Sequence, residues 1–225
     1  MKINSKKIYI GIVIIVFILM SIFVSNMRHD DLQPTEKDNS QAIPLSVRED
    51  MIGKSPITLK SGNFIVGVDI PAGRYSATTV EYDFGSVTVY ELGTKVPEVS
   101  EILGFIAETA YVESIALTLI ESQEIKIERL GHVVFTPLHT ELKTELTTGI
   151  WEVGHDIKPG TYTASSKDGL SGSIALLSDE DIVAILKLGN GESDKKSEIV
   201  TLKNGQVIRI SRIPTVIFEE VEKKK

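Results

Sequence analysis

The stretch Gly62 to Ala77, GNFIVGVDIPAGRYSA, returns without a gap as Gly149 to Ala164, GIWEVGHDIKPGTYTA. Eight of the 16 aligned positions are identical, whereas two unrelated segments of that length match at roughly one. Duplication explains the agreement, so a fold assigned to one copy has to serve the other. The kinship continues beyond the motif. Gly85 to Val89 meets Gly172 to Leu176 at the same offset of 87, and Gln123 to Arg129 meets Gln206 to Arg212 at an offset of 83. Val134-Phe135 and Ile217-Phe218 close the two copies, and the first holds four extra residues between Leu92 and Leu117.

Most segments within each copy alternate polar and apolar residues with period two and are rich in Val, Ile, Thr and Tyr, with Gly, Asn, Asp and Pro between them. That is the pattern of short antiparallel strands. The expected fold class is all-β: two tandem small β-sandwich or barrel domains after one N-terminal transmembrane helix. Residues 99–110 are ambiguous, because Val99, Ile102, Leu103, Ile106 and Ala110 fall at helical spacing. Their counterpart, Asp181 to Leu188, reads as a strand running into a hairpin turn at Gly189-Asn190-Gly191.

The helix is read from Ile8 to Val24, 17 residues without a charge, which at about 1.5 Å per residue nearly spans the hydrocarbon thickness of a bilayer. Lys2, Lys6 and Lys7 precede it, whereas Asp30, Asp31, Glu36 and Asp38 follow among fewer basic residues. The positive-inside bias therefore puts the N-terminus in the cytoplasm and the rest of the chain outside, and an uncleaved anchor fits better than a cleaved signal peptide. The expected organisation is a cytoplasmic tip and anchor over 1–26, a juxtamembrane linker over 27–56, a first β-repeat domain over 57–138, a connector over 139–147, and a second β-repeat domain with a charged tail over 148–225.

The formal charge is −7, and residues 1–25 contribute three lysines and no acid, so the exported part is more acidic still. This argues against nucleic acid and against anionic polymers, which need concentrated Lys and Arg. With no cysteine there is no disulfide, no thiolate metal site and no lipid-modified cysteine at the membrane boundary.

Within the motif, Phe64-Ile65-Val66 and Trp151-Glu152-Val153 read as strands that end at Gly67 and Gly154, where a side chain would obstruct the bend. Asp69 and Asp156 sit where a carboxylate accepts from backbone amides two residues on, as in an Asx-turn. Gly73 and Gly160 belong to a second turn, with glycine free to take positive φ before Tyr75 or Tyr162 begins the next strand. These residues are of a type that shapes a backbone.

The pattern Gly-x-aromatic-x-Val-Gly-x-Asp-Ile-x-Pro-Gly-x-Tyr, met in full by Gly149 to Tyr162, resembles a β-module of secreted and membrane-anchored proteins of Gram-positive bacteria, most of them without an assigned activity. The first copy departs from it by having Pro71-Ala72 where the pattern has x-Pro. The likeness covers about two thirds of the chain. It implies an all-β extracytoplasmic domain, here in tandem, and supplies no active-site residues.

Asp69 and Asp156 could serve as calcium ligands, but no D-x-D-x-D-G series completes a coordination shell, so turn capping is the better account and no metal or cofactor is expected. Trp151, Tyr162, Phe64 and Tyr75 could form an aromatic shelf on which a sugar stacks, although aromatics within strands are more often core. His29, His132, His139 and His155 lack zinc-ligand spacing. Gly169-Leu170-Ser171-Gly172 has the wrong spacing for a nucleophile elbow. The leading expectation is a non-enzymatic, membrane-anchored extracytoplasmic interaction protein of the cell envelope, its partner an envelope protein or cell-wall component. An envelope-polymer hydrolase and a sensor or accessory subunit of a membrane complex are the competing readings.

Overall fold

The computed structural model describes residues 55–104, 112–179 and 181–222. The expected anchor and all but the last two residues of the expected linker lie outside that range, and among the described residues no helix is long and apolar enough to cross a membrane. The described chain is all-β. Its strands are β1 (Ile57–Leu59), β2 (Gly62–Ile65), β3 (Gly73–Thr79), β4 (Phe84–Tyr90), β5 (Pro97–Gly104), β6 (Ser114–Leu119), β7 (Glu124–Glu128), β8 (Val133–Pro137), β9 (Glu145–Glu152), β10 (Gly160–Ser166), β11 (Gly172–Ser178), β12 (Asp181–Leu188), β13 (Ser197–Leu202) and β14 (Val207–Glu220).

Two sheets result. One runs β1-β8-β3-β6-β9-β14-β10-β13, with β11 paired to β14 and β12 paired to β11; the other runs β2-β7-β4-β5. The repeat explains the difference in sheet count. In the first copy the chain leaves strand conformation between Leu59 and Gly62 and again between Glu128 and Val133, so β1 pairs with β8 in one layer and β2 with β7 in the other. In the second copy β9 and β14 run unbroken through the matching positions, and their ladder is interrupted only between Ile210 and Thr215. Arg129 and Arg212, 83 residues apart, carry the bend at each place with positive φ of 61° and 62°. The layers stack in a sandwich-like way over two hydrophobic clusters.

The first cluster contains Val66, Ile70, Tyr75, Val87, Leu103, Ile125 and Phe135, and the second contains Val153, Ile157, Tyr162, Ile174, Leu188, Ile208 and Phe218. At its centre each has a tyrosine edge-on to a phenylalanine, Tyr75 with Phe135 at 6.2 Å and Tyr162 with Phe218 at 6.1 Å. Each tyrosine hydroxyl donates to a carbonyl four residues back, Pro71 O at 3.0 Å and Lys158 O at 2.9 Å. A ring can then fill the core without leaving its polar end unpaired.

Pro97–Gly104 is a strand, and residues 105–111 lie outside the described range. The helical spacing of Val99, Ile102 and Leu103 does not decide the conformation here, because Ile102 is 43% exposed. Val99, Glu101 and Leu103 all point inward and are buried, which is period two with a carboxylate in the middle. The hairpin expected at Gly189-Asn190-Gly191 is absent: β12 pairs with β11 and β13 with β10, and only a single parallel bridge, Leu188 to Lys195, spans the loop.

The copies meet where β6 pairs in parallel with β9, Ala116 opposite Gly149. Their side chains interleave, since Ala116 packs into the second cluster and Ile150 against the first. Gly149 has φ of 128°, and a Cβ there would lie 2.1 Å from Ala116 O and 2.5 Å from Ala116 N. Backbone cannot swing aside as a flexible side chain can. Gly149→Ala is therefore expected to cost about 3 kcal/mol or more in chemical denaturation, well above Gly62→Ala, whose added Cβ would meet only the Phe64 ring, at 3.0 Å.

Candidate functional site

Each motif folds into the same closed turn. The Gly67 amide donates to Ile70 O and the Gly154 amide to Ile157 O, both at 2.7 Å. Gly67 and Gly154 have φ of 90° and 100°. Gly73, at 159°, is extended, and Gly160 is not among the positive-φ glycines, so neither turns the chain as expected; both begin strands. The aspartates also act in the opposite direction to the expected one. Asp69 Oδ2 accepts from the Ile65 amide at 2.7 Å and Asp156 Oδ2 from the Glu152 amide at 2.8 Å, four residues back. The turn folds the chain over so that the carboxylate reaches the last amide of the incoming strand.

The aromatic candidates do not form a shelf. Tyr75, Tyr162 and Trp151 are buried, and Phe64 is half-buried against the first cluster. Trp151 Nε1 donates to Thr147 O at 2.6 Å, again four residues back. Among the described residues no group of His, Asp and Glu could hold a metal ion.

What Asp156 and Trp151 do hold is an arginine of the other copy. Arg74 lies bidentate on Asp156, Nη1 to Oδ1 at 2.8 Å and Nη2 to Oδ2 at 3.0 Å. Arg74 Nη1 also donates to Thr140 Oγ1 at 3.1 Å, and its guanidinium stands 5.8 Å from the Trp151 ring centre. Both side chains of the ion pair are buried. Nearby, Glu101 Oε2 accepts from the Arg212 amide at 3.1 Å. Burial pushes the Glu101 carboxyl above the usual carboxylate range, against the hydrogen bonds from Arg212 and Ser211. Burial raises Glu98 as well, against its hydrogen bond with Gln123 and the charge of Arg209. These groups form a sealed polar seam between the copies.

Position by position, the second copy lacks that chemistry. Thr161 stands where Arg74 is, and Ile199, 83 residues on, where Ala116 is. The ladders put Val87 opposite Glu101 and Ile174 opposite Leu186, so Leu186 stands where Glu101 is. Both ladders carry a bulge at the next equivalent place, which matches Val183 with Glu98. Leu186 is buried in the second cluster, but several of its neighbours on β12 and β13 stand open among the described residues. Val183 is 53% exposed, Ile185 60% and Ile199 67%, whereas Ala116 is 1% exposed. They flank a cavity of about 460 Å³ between β12 and β13 whose lining is mixed, with Leu176, Leu186 and Val200 beside Glu198, Lys203 and Gln206. Among the described residues each of the two strands is paired on one side only.

Sequence reasoning did not find this groove, because the motif was compared for what the copies share. The signal lay in the differences, with Leu186, Val183 and Ile199 standing at strand positions that are charged or small in the first copy. Comparison with protein-family models, curated proteins and solved structures gives no match to this chain.

Two outcomes follow for the seam. Arg74→Met strands a buried carboxylate and is expected to destabilise the protein by about 3 to 5 kcal/mol, with much of the loss recovered in Arg74→Met/Asp156→Asn, as read by denaturant melts. For Glu98 and Glu101 the folded state holds its protons more tightly than the unfolded chain. Stability therefore declines as pH rises from about 4.5, their ordinary value, through the raised folded pKa, and the loss is complete above it. Glu101→Gln should flatten that decline and raise the melting temperature near pH 7.

Proposed function

We propose that this chain is a membrane-tethered, non-enzymatic binding protein of the bacterial cell envelope, with two tandem β-domains displayed outside the cytoplasmic membrane. The observation that carries the reading is the groove between β12 and β13, where Val183, Ile185 and Ile199 stand exposed among the described residues beside Glu198, Lys203 and Gln206. Exposed aliphatic side chains beside strand edges without a pairing partner are a common mark of an interaction surface. The hydrophobic stretch 8–24 with its preceding lysines supports the tether, and the likeness of Gly149 to Tyr162 to a Gram-positive surface module supports the location. A tether confines the groove to partners in the same envelope and raises their effective concentration.

The hydrolase reading has less to stand on. Displaced carboxyl pKa values are a common mark of an active site. The two carboxyl groups raised here, Glu98 and Glu101, lie in the seam, where each already has a protein partner.

A photo-crosslinking side chain in place of Ile199, activated in intact cells, is expected to capture an envelope component, and the same group in place of exposed Val68 is not. Purified full-length chain incubated with cell-wall material should release no soluble fragments; their release would overturn the non-enzymatic reading. Protease added to whole protoplasts should remove residues 57–225, and protection of that region would refute the topology.

A further inference from the structure

The way the two copies join indicates what the open groove takes up. In the first copy the outer edge of β6 is closed by a strand, β9, through Ala116 and Gly149. The neighbouring β5 meets β14 through Glu101 and the Arg212 amide. An incoming strand and its companion thus cover the β5/β6 side of the first copy. In the second copy β12 and β13 are the same two strands, tied at the same place: the parallel bridge Leu188 to Lys195 matches Leu103 to Val112. The amides repeat the correspondence, Gly104 donating to Val112 O and Gly189 to Lys195 O, both at 3.0 Å. Beyond that tie the edges of β12 and β13 have no strand partner among the described residues.

We propose that this gap accepts an extended strand from a partner polypeptide, one whose side chains facing Val183, Ile185 and Ile199 are aliphatic. The inference rests on the binding-protein reading above and assigns it a mode and a partner class. Backbone groups on an unpaired edge supply affinity for any extended chain, and the side chains beside it supply selectivity. Here the exposed ones are Val183, Ile185 and Ile199, with Glu198, Lys203 and Gln206 also in the lining, so a ligand residue that faces the three aliphatic side chains is favoured when it is apolar and a charge there is desolvated.

A second copy of the chain fits the site poorly. Stacking copies head to tail would set Thr161 where Arg74 meets its aspartate, facing Asp69, and Leu186 where Glu101 meets the Arg212 amide. The ion pair that fixes the natural seam would not form. The partner is therefore a different polypeptide with an apolar β-strand to contribute.

The test uses the full-length chain in detergent and a fluorescent octapeptide of alternating Val and Thr, read by anisotropy. Expected is saturable binding that falls at least about tenfold, roughly 1.4 kcal/mol, when a central Thr is replaced by Pro, because the ring removes a backbone donor, and likewise when Val is replaced by Lys. Ile199→Lys and Val183→Lys, both at exposed side chains, should weaken binding similarly with an unchanged melting temperature, while Val68→Lys at an exposed turn leaves it within about twofold. Binding indifferent to Ile199→Lys, or tolerant of the central Pro, would overturn the proposal. So would a chain that sediments as an oligomer dissociated by Ile199→Lys, since a second copy would then be the occupant. The two readings fail separately. If crosslinks from position 199 persist in cells but no peptide binds, strand insertion falls and the binding function stands. If the peptide binds as described but no envelope component is captured, strand insertion stands and the envelope function falls.

Discussion

A β-strand presents hydrogen-bonding groups along two edges, and both must be paired, covered or guarded. In this protein that requirement is met at one point by backbone contact alone, Ala116 against Gly149, and the junction of the copies follows from it. Gly149 is needed there because no side chain fits between the two main chains. Its counterpart Gly62 is conserved between copies without sharing the reason, since the ring of Phe64 is what crowds it. A residue retained through duplication can thus serve packing in one copy and assembly in the other.

The turn of the motif was legible in the sequence because its determinants are local. Gly67 and Gly154 turn the chain with positive φ, and Ile70 and Ile157 are fully buried behind them. The direction in which Asp69 and Asp156 cap the backbone was not legible: a carboxylate can satisfy an amide ahead of it or behind it, and the choice depends on how tightly the turn closes. The strand nature of Pro97–Gly104 was hidden by Glu101, whose burial only the neighbouring copy makes tolerable. Tyr75 and Tyr162 resolve the ambiguity of a strand aromatic toward core, because their hydroxyls find carbonyls four residues back. None of this could be read from hydrophobic period alone.

The seam and the groove were illegible for a common reason. Both are formed by positions at which the copies disagree, and a repeat is recognised by agreement. Arg74 against Thr161, Glu101 against Leu186 and Ala116 against Ile199 are strand positions of ordinary appearance when taken singly. Their meaning depends on which neighbour lies across the strand edge, and that is a tertiary fact.

The charged character of the seam is best understood as selection of a partner. Burying Arg74 with Asp156 and holding Glu101 away from water cost desolvation that a well-packed apolar contact would avoid, so stability alone does not account for them. What they do is make the junction depend on a specific match: a strand lacking the carboxylate leaves a buried guanidinium, and one lacking the arginine leaves a buried carboxylate. Such mismatches are penalised by several kcal/mol, more than the contact gains when correct. An apolar groove has the opposite property, since aliphatic surfaces accept one another with little regard to identity. The first copy is thereby committed to one neighbour within its own chain, while the second, with Thr161, Leu186 and Val183 where the first has Arg74, Glu101 and Glu98, lacks the groups that enforce that match.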